Sequence, residues 1–227
     1  MIADVLSAAD WWRAAGVDAM IGEEPHDWLA SPKPSAAVPT LSRPANVPDS
    51  LEAIARIYAT DDMFGPVAGR LLPQGSVASG LMLMTDQPEQ GDAEAGQIVS
   101  GEAGRLFDRM LAAIGRDRAA VYLATVTPVR VPGGRVDAAR LAQWTEVARH
   151  HVGLAAPRVL LLLGDAASRA FLGTGLVEAR GRAHFLNLGG ASVTAIATFH
   201  PRFLLQQPAR KADAWRDLRL LLGELSQ

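Results

Sequence analysis

The sequence predicts an α/β fold, a three-layer α/β/α sandwich with a central, mostly parallel four-stranded sheet, plus an N-terminal helical arm. From about residue 80 onward, short apolar segments alternate with amphipathic segments of helical periodicity. Residues 158–163 are almost continuously apolar, as a parallel strand covered on both faces requires. The alternation implies crossover connections, which place the strands parallel and the helices on both faces of the sheet.

The individual elements are predicted in chain order. A helix at residues 49–58 can be capped by Asp49 or Ser50, and its apolar side chains recur at helical spacing. Apolar segments predict strands at 80–85, 120–126, 158–163 and 191–199, and amphipathic segments predict helices at 101–114, 136–155, 166–172 and 209–225. Residues 181–190, bounded by glycines, are predicted to form a hairpin or a turn.

The N-terminal part has a different composition. Residues 1–30 predict a helical arm that carries Trp11, Trp12 and Trp28, with an amphipathic helix at 3–15. Residues 31–50 contain five prolines and predict an extended linker, so that the α/β domain occupies 51–227. We expect the tryptophans of the arm to pack on the domain, and the arm is also a candidate site for a protein partner.

Composition excludes several classes of protein. The chain has no Cys, which rules out disulfides, a catalytic thiol and metal or iron–sulfur sites held by thiolates, and no cofactor is predicted. Its apolar segments are too short to span a bilayer, and no basic stretch precedes an apolar one at the N-terminus. These features predict a cytoplasmic protein without membrane contact. The net charge of −2 does not by itself indicate nucleic-acid binding.

Candidate functional residues lie in the loops that follow the predicted strands. In folds of this class, ligands bind beyond the carboxyl ends of the strands. The loop after the first strand reads Thr85-Asp86-Gln87-Pro88-Glu89, with Asp92 a few residues later. Its carboxylates could activate water, bind a metal ion or hydrogen-bond a ligand, although a polar loop at the protein surface would have the same composition.

A second candidate loop follows the last predicted strand. His200 comes directly after that strand, and Pro201 restricts its backbone. Arg202 offers a cation, and Phe203 and Leu204 offer apolar side chains. Arg135, beside the glycines of another loop, could contact a phosphate. A single His is more often structural than catalytic, but the position of His200 and its neighbours favour a functional role.

Four segments in one order carry a resemblance to a known family. They are Pro88 in the first loop, the helix of residues 101–111, the strand and turn of residues 159–173, and the segment from Phe199 to Leu205 with Pro208 and residues 215–218. Together they resemble the uracil-DNA glycosylase superfamily, and most closely its type 4 enzymes, which normally carry an iron–sulfur cluster. The resemblance covers residues 79–225 and implies DNA with a damaged or deaminated base, single- or double-stranded, as the partner.

The resemblance also assigns roles, and the chain departs from several of them. His200 would stabilise negative charge on the departing base, and Asp86 or Asp92 would orient the attacking water. The implied base pocket contains Thr85, Gln87, Pro88, Val99 and Thr125, and the implied DNA contacts are Arg202, Phe203, Leu204 and Arg135. Val99 stands where the family has a uracil-stacking Phe, and Thr125 where it has a uracil-reading Asn. Val129 and Trp144 occupy two cluster-cysteine positions.

Further departures concern the two motifs themselves. The family loop Gly-Glu-Ala-Pro-Gly becomes Thr85-Asp86-Gln87-Pro88-Glu89, and the Ser of the family His-Pro-Ser motif becomes Arg202.

Three functional interpretations follow. The first is a DNA glycosylase that hydrolyses the N-glycosidic bond of uracil or another deaminated base, favoured by His200 and the loop aspartates. The second is a catalytically impaired DNA-binding or regulatory module that keeps the fold, favoured by the altered base pocket. The third is a small-molecule activity at the same loops, for which the sequence offers no specific support.

Overall fold

A computed structural model describes residues 48–131, 133 and 136–226 of the chain, and these belong to one compact unit, Pro48–Gln227. The predicted arm at 1–30 and the linker up to residue 47 lie outside the described residues, so their organisation and the predicted protein partner remain predictions. Within the described residues, no helix is both long and apolar enough to cross a membrane.

The described residues form a mixed sequence of helices and strands. The helices are α1 (Leu51–Thr60), α2 (Asp92–Ala95), α3 (Gly101–Ala113), α4 (Ala138–Ala155), α5 (Asp165–Leu172), α6 (Leu176–Ala179), α7 (Pro201–Gln206) and α8 (Lys211–Leu225), with 3-10 turns at Asp62–Phe64, Val77–Ser79 and Pro208–Arg210. The strands are β1 (Gln74–Gly75), β2 (Leu81–Thr85), β3 (Tyr122–Thr125), β4 (Val159–Leu163), β5 (Ala183–Leu188) and β6 (Ala191–Thr198). Each strand and long helix expected from periodicity is present, with ends within two residues of the prediction.

The strands form one sheet in the order β1-β3-β2-β4-β6-β5. The four inner strands, β3, β2, β4 and β6, are parallel to one another, which confirms the predicted α/β class with a mostly parallel sheet. The sheet of the described residues has six strands, however, because β1 and β5 pair antiparallel at its two edges. Strand β1 is too short to give a periodic signal, and β5 was predicted only as a hairpin or turn. Gly189 and Gly190, both with positive φ, connect β5 to β6 in a tight hairpin.

Helices cover both faces of the sheet, and side chains alternate between the two resulting cores. In β2, Met82 and Met84 point to one core and Leu81 and Leu83 to the other, and all are at most 1% exposed. The first core also receives apolar side chains of α1, α4 and α5, and the second those of α3 and α8. A strand buried on both faces has no polar side to alternate with, which explains the continuous apolar runs of β2 and β4.

An aromatic group joins α4 to the segment after α1. The ring of Trp144 stacks on Phe64 with centroids 5.8 Å apart, and Phe64 meets Tyr58 edge to face at 5.3 Å. The indole Nε1–H of Trp144 donates a hydrogen bond to the carbonyl oxygen of Met63 at 3.1 Å. The indole ring is therefore packed against another aromatic ring, and its polar N–H has a hydrogen-bond partner.

Substitution of Trp144 by Ala is expected to lower the free energy of unfolding by about 3–5 kcal/mol, because it empties a core site and leaves a carbonyl unpaired. Trp215, which is 42% exposed, is the matched control, and Trp215→Ala should cost less than about 1 kcal/mol. Urea unfolding of both variants measures the difference. Equal losses for the two variants would contradict a core role for Trp144.

Candidate active site

The loops at the carboxyl ends of the parallel strands surround two adjoining pockets. The His200 pocket, of about 450 Å³, is lined among others by His200, Arg202 and Phe203. The Trp144 pocket, of about 360 Å³, is lined by Trp144 and by apolar side chains of the β3–α4 connection. Asp86, Asp165 and Ala166 line both, so the two pockets meet at the ends of β2 and β4. The predicted location of the site at this edge agrees with the placement of these cavities.

His200 is held in one orientation by its own turn. It is the N-cap of α7, followed by Pro201, and its Nδ1 accepts a hydrogen bond from the backbone N–H of Arg202 at 3.2 Å. Gly164 passes so close that a Cβ at that position would lie 3.3 Å from the Cβ of His200. The β4–α5 connection therefore packs directly against the histidine, and a larger residue at position 164 would displace it.

The protonation state of His200 follows from its environment. The side chain is buried, and this burial lowers its pKa to about 4, a shift that the Asp86 charge opposes. The imidazole is therefore neutral near pH 7. Because Nδ1 accepts a hydrogen bond, the single ring proton is on Nε2. Nε2 is buried and has no hydrogen-bond partner among the described residues, which leaves a neutral donor available to a ligand.

Asp86 lies directly after β2 and is partly exposed. Its Oδ1 accepts a hydrogen bond from the hydroxyl of Thr85 at 3.2 Å, and its backbone carbonyl accepts one from the N–H of Thr127 at 3.0 Å. The backbone is thus attached to the neighbouring β3 loop while the carboxylate faces both pockets. This placement suits a group that hydrogen-bonds water or substrate.

Asp92 has a different environment from Asp86. It is fully buried, and its carboxylate oxygens accept hydrogen bonds from the backbone N–H groups of Glu89, Val99 and Ser100 at 2.7–2.8 Å. These bonds close the loop between β2 and α3. The geometry therefore favours Asp86 over Asp92 as the residue that orients water, and gives Asp92 a structural role.

The residues predicted to form the base pocket are not brought together around one cavity. Gln87 lines the Trp144 pocket, and its side-chain oxygen accepts a hydrogen bond from the N–H of Val131 at 3.0 Å. Thr85, Pro88, Val99 and Thr125 are buried and line neither pocket. The hydroxyl of Thr125 has no partner among the described residues.

Val99 packs into the core rather than facing a ligand. It is fully buried in the cluster between the sheet and α3, and its φ of 55° is unusual for a β-branched residue. Asp92 accepts from its N–H, and the guanidinium of Arg118 donates to its carbonyl at 2.7 Å. These hydrogen bonds hold the backbone in a conformation that costs of order 1–3 kcal/mol.

The residues predicted to contact DNA differ in how exposed their side chains are. The Arg202 side chain is 55% exposed, and the Phe203 ring is partly exposed and stacks on Phe199 with centroids 5.0 Å apart. Arg180 also contacts Phe199, and its guanidinium carbon lies 4.5 Å from the ring centroid. Leu204, predicted to contact DNA, is instead only 1% exposed, because α7 turns it into the core. Arg135 lies outside the described residues.

Three charged residues that matter for the site had no individual role predicted from the sequence, although Glu89 was among the candidate carboxylates of the first loop. Asp217, fully buried, accepts hydrogen bonds from Thr198 and from the guanidinium of Arg180, and so ties the end of β6 to α8. Burial raises the pKa of its carboxyl. Asp165 begins α5 at the rim of both pockets, and the N–H of Leu176 lowers the pKa of its carboxyl. A carboxylate directly after an apolar strand was the signal available for Asp165.

Glu89 is the third such residue. Its Oε2 accepts a hydrogen bond from Nη1 of Arg202 at 2.8 Å, and its Oε1 lies 3.6 Å from Nδ1 of His200. Burial raises the pKa of its carboxyl, and the Arg202 charge opposes that shift. Its position in the first loop was known from the sequence, but the partner is 113 positions away and only the fold brings the two together.

Comparison with known proteins addresses this arrangement directly. A sequence profile described as the uracil DNA glycosylase superfamily matches residues 72–219, which include both loops and the four parallel strands. The chain belongs to the uracil-DNA glycosylase superfamily. It is similar to the type-4 uracil-DNA glycosylase of Pyrobaculum aerophilum, with 24% identity over 66% of this chain and 80% of that protein. It is also 24% identical to that of Archaeoglobus fulgidus, over 66% of this chain and 79% of that protein.

The residues of this superfamily member do not fit the iron–sulfur cluster that the resemblance to type 4 enzymes implies. The chain has no Cys, and Trp144, which the resemblance aligns with a cluster cysteine, is 3% exposed and stacked on Phe64. Among the described residues, no group of three His, Asp or Glu side chains is arranged to bind a metal ion. The region is built as an apolar core in place of a thiolate site.

Substitution of Asp92 by Ala is expected to lower the free energy of unfolding by about 3 kcal/mol or more, because three backbone N–H groups lose their charged acceptor. Asp86→Ala, which removes one long hydrogen bond at a partly exposed site, should cost less than about 1 kcal/mol. Chemical unfolding of the two variants gives the comparison. A stable Asp92→Ala protein would show that the carboxylate does not support the loop.

Stability is expected to fall as the pH is lowered from about 6.5 to about 4, because burial depresses the pKa of His200 and of His151 from 6.5 to about 4. In this pH range the two histidines bind protons in the unfolded chain but not in the folded protein. The free energy of unfolding therefore falls by up to about 1.4 kcal/mol per pH unit for each histidine. The raised pKa values of Glu89 and Asp217 act in the opposite sense. His200→Asn keeps a side chain that can cap the helix. It should reduce the slope of the free energy of unfolding against pH by the equivalent of up to one bound proton, as measured by urea unfolding at each pH.

Proposed function

We propose that this protein is a DNA glycosylase that hydrolyses the N-glycosidic bond of uracil or another deaminated base in DNA. The observation that carries the proposal is the neutral imidazole of His200, a residue that lines a pocket together with Asp86 and whose buried Nε2–H lacks a partner among the described residues. Superfamily membership and the similarity to two type-4 uracil-DNA glycosylases support the reaction class.

In this proposal His200 acts on the leaving group. When the base is uracil and the bond between its nitrogen and the sugar C1′ breaks, the electron pair goes to the base, and negative charge spreads to the carbonyl oxygen beside that nitrogen. A fixed neutral N–H donor stabilises this charge, and it needs no reorganisation because its position is set before the substrate arrives. The depressed pKa of His200 keeps the imidazole a neutral donor near pH 7 rather than an imidazolium acid.

Asp86 acts on the sugar side of the same bond. Its carboxylate faces the pocket, where it can accept a hydrogen bond from the attacking water and stabilise the positive charge that develops on the sugar. Water adds to C1′, its proton passes to the carboxylate or to solvent, and the products are the free base and an abasic site. Asp92, already occupied by three backbone N–H groups, takes no part in this step.

The turn that carries His200 would also hold the DNA. A flipped nucleotide costs a few kcal/mol of stacking, which the protein must supply from contacts elsewhere. The exposed guanidinium of Arg202 is suited to a phosphate, and Phe203, braced by Phe199, offers an aromatic face to an unstacked neighbour. Both residues lie beside His200, so binding and chemistry would occur at the same edge of the sheet.

A catalytically impaired DNA-binding or regulatory module is the second candidate, and one observation favours it. Thr85, Pro88, Val99 and Thr125 are buried outside both pockets, so the aromatic stacking partner and amide implied by the family are missing from the open cavity. A site without those groups discriminates bases poorly. Retention of DNA binding without cleavage would therefore support this candidate.

The deciding experiment measures cleavage of labelled single- and double-stranded DNA that contains uracil, hypoxanthine or xanthine, followed by alkali treatment. His200→Asn keeps the N-cap of α7 but removes the imidazole, and the cleavage rate is expected to fall by about 100- to 1,000-fold, as for loss of one preorganised donor. The base that supports the fastest cleavage names the preferred substrate.

The same variant serves as the control for a contaminating glycosylase. Equal scission by wild type and His200→Asn would contradict the proposed role of His200. No scission with tight, salt-dependent binding of the same DNA would support the binding module instead. Absence of both would leave neither candidate function standing.

A further inference from the structure

Two residues that depart from the family motifs contact each other at the site. Glu89 occupies the last Gly position of the first motif, and Arg202 occupies the Ser position of the second. The two are 113 positions apart in the chain, yet Nη1 of Arg202 donates to Oε2 of Glu89 at 2.8 Å. The contact joins the loop that carries Asp86 to the turn that carries His200.

Hydrogen bonds to Asp92 hold the backbone of Glu89 in place for this contact. Its backbone N–H donates to the buried carboxylate of Asp92 at 2.8 Å, and its backbone carbonyl accepts from the N–H of Asp92 at 3.2 Å. The Glu89 side chain is only 14% exposed, whereas that of Arg202 is 55% exposed. The carboxylate is therefore largely shielded from water, which strengthens its hold on the guanidinium compared with a pair at the surface.

Both residues lie close to the Nδ1 nitrogen of His200. The backbone N–H of Arg202 donates to Nδ1 at 3.2 Å, and the carboxylate oxygen Oε1 of Glu89 lies 3.6 Å from the same atom. The side chain of Arg202 is anchored by Glu89 while its backbone holds the ring. Movement of Arg202 would therefore change the orientation of the imidazole, and the contact with Glu89 limits that movement.

We infer that Glu89 and Arg202 form a pair of positioning residues that fixes the orientation of the His200 ring, because Glu89 anchors Arg202 and the backbone N–H of Arg202 donates to Nδ1. This inference rests on the proposed glycosylase function for its kinetic consequences, but not for its structural ones. Arg202 has a second role in the pair, because the rest of its exposed guanidinium can take a DNA phosphate while Nη1 holds Glu89. Glu89 has only the positioning role.

The division of roles predicts different kinetic effects for the two residues. Glu89→Ala should lower the single-turnover cleavage rate by about 10- to 100-fold, the cost of a small misplacement of a reacting group, without weakening DNA binding. Arg202→Ala should lower the rate and also weaken binding. The double variant should be no slower than Arg202→Ala, because both changes break the same contact.

A second measurement tests the pair in the absence of DNA. Nitrogen chemical shifts of the His200 ring distinguish an Nε2–H from an Nδ1–H tautomer. Wild type should show Nε2–H alone. Glu89→Ala should show an exchange-broadened ring, and Arg202→Ala should show an exchange-broadened ring or a fraction of Nδ1–H, because the freed Glu89 carboxylate can accept from Nδ1. Glu102→Gln is the matched control, because it breaks an exposed ion pair with Arg105 on α3 and should leave the ring signals unchanged.

Thermal melting establishes that each variant is folded. If Glu89→Ala does not fold, Glu89→Gln replaces it, since the amide oxygen can still accept from Arg202 but carries no charge; it should show the same changes to a smaller extent. Unchanged ring signals in both single variants would overturn the inference, as would rate effects that multiply in the double variant. If wild type cleaves no DNA but the ring signals change as described, the proposed function fails and the positioning pair stands.

Discussion

The site depends on the register of the parallel strands. Strand β2 pairs with β3 on one side and β4 on the other, with Thr85 opposite Thr125 and Met84 opposite Leu162, and β4 pairs with β6 with Leu163 opposite Thr198. The carboxyl ends of these strands therefore end at one level. The loops that carry Asp86, Asp165 and His200 meet there, although they are far apart in sequence. A shift by one residue would exchange the side chains of each strand between the two cores, so the packing of both cores fixes the alignment.

Burial of polar groups determines what each site residue can do. Asp92 and Asp86 are both loop carboxylates, but Asp92 is fully buried and occupied by three N–H groups, whereas Asp86 faces open cavities. Burial also makes His200 a neutral donor, and leaves its Nε2 and the Thr125 hydroxyl without partners among the described residues. Unpaired buried polar atoms cost folding free energy, and their presence at the carboxyl edge of the sheet is typical of a site built for a ligand.

Two groups of residues differ from those that the resemblance implies for the family. Where type 4 relatives would place cluster cysteines, an aromatic group of Trp144, Phe64 and Tyr58 packs α4 against α1 and the segment that follows it. Where the family has Gly and Ser, Glu89 and Arg202 form an ion pair. Each change replaces one kind of connection between segments with another. The fold of the superfamily is thereby kept while the groups around its pocket differ.

The sequence by itself determined the α/β class and the elements long enough to show periodicity, and it selected His200 and Asp86 as candidates, because hydrophobic spacing and motif residues are local signals. It did not reveal β1 or the short helices at the site, which have too few residues for a period to show, and it predicted the segment of β5 only as a hairpin or a turn. Only the tertiary structure distinguished Asp92 from Asp86, placed Leu204 and Val99 in the core and paired Glu89 with Arg202. Those outcomes depend on burial and on contacts between distant segments, which no local pattern encodes.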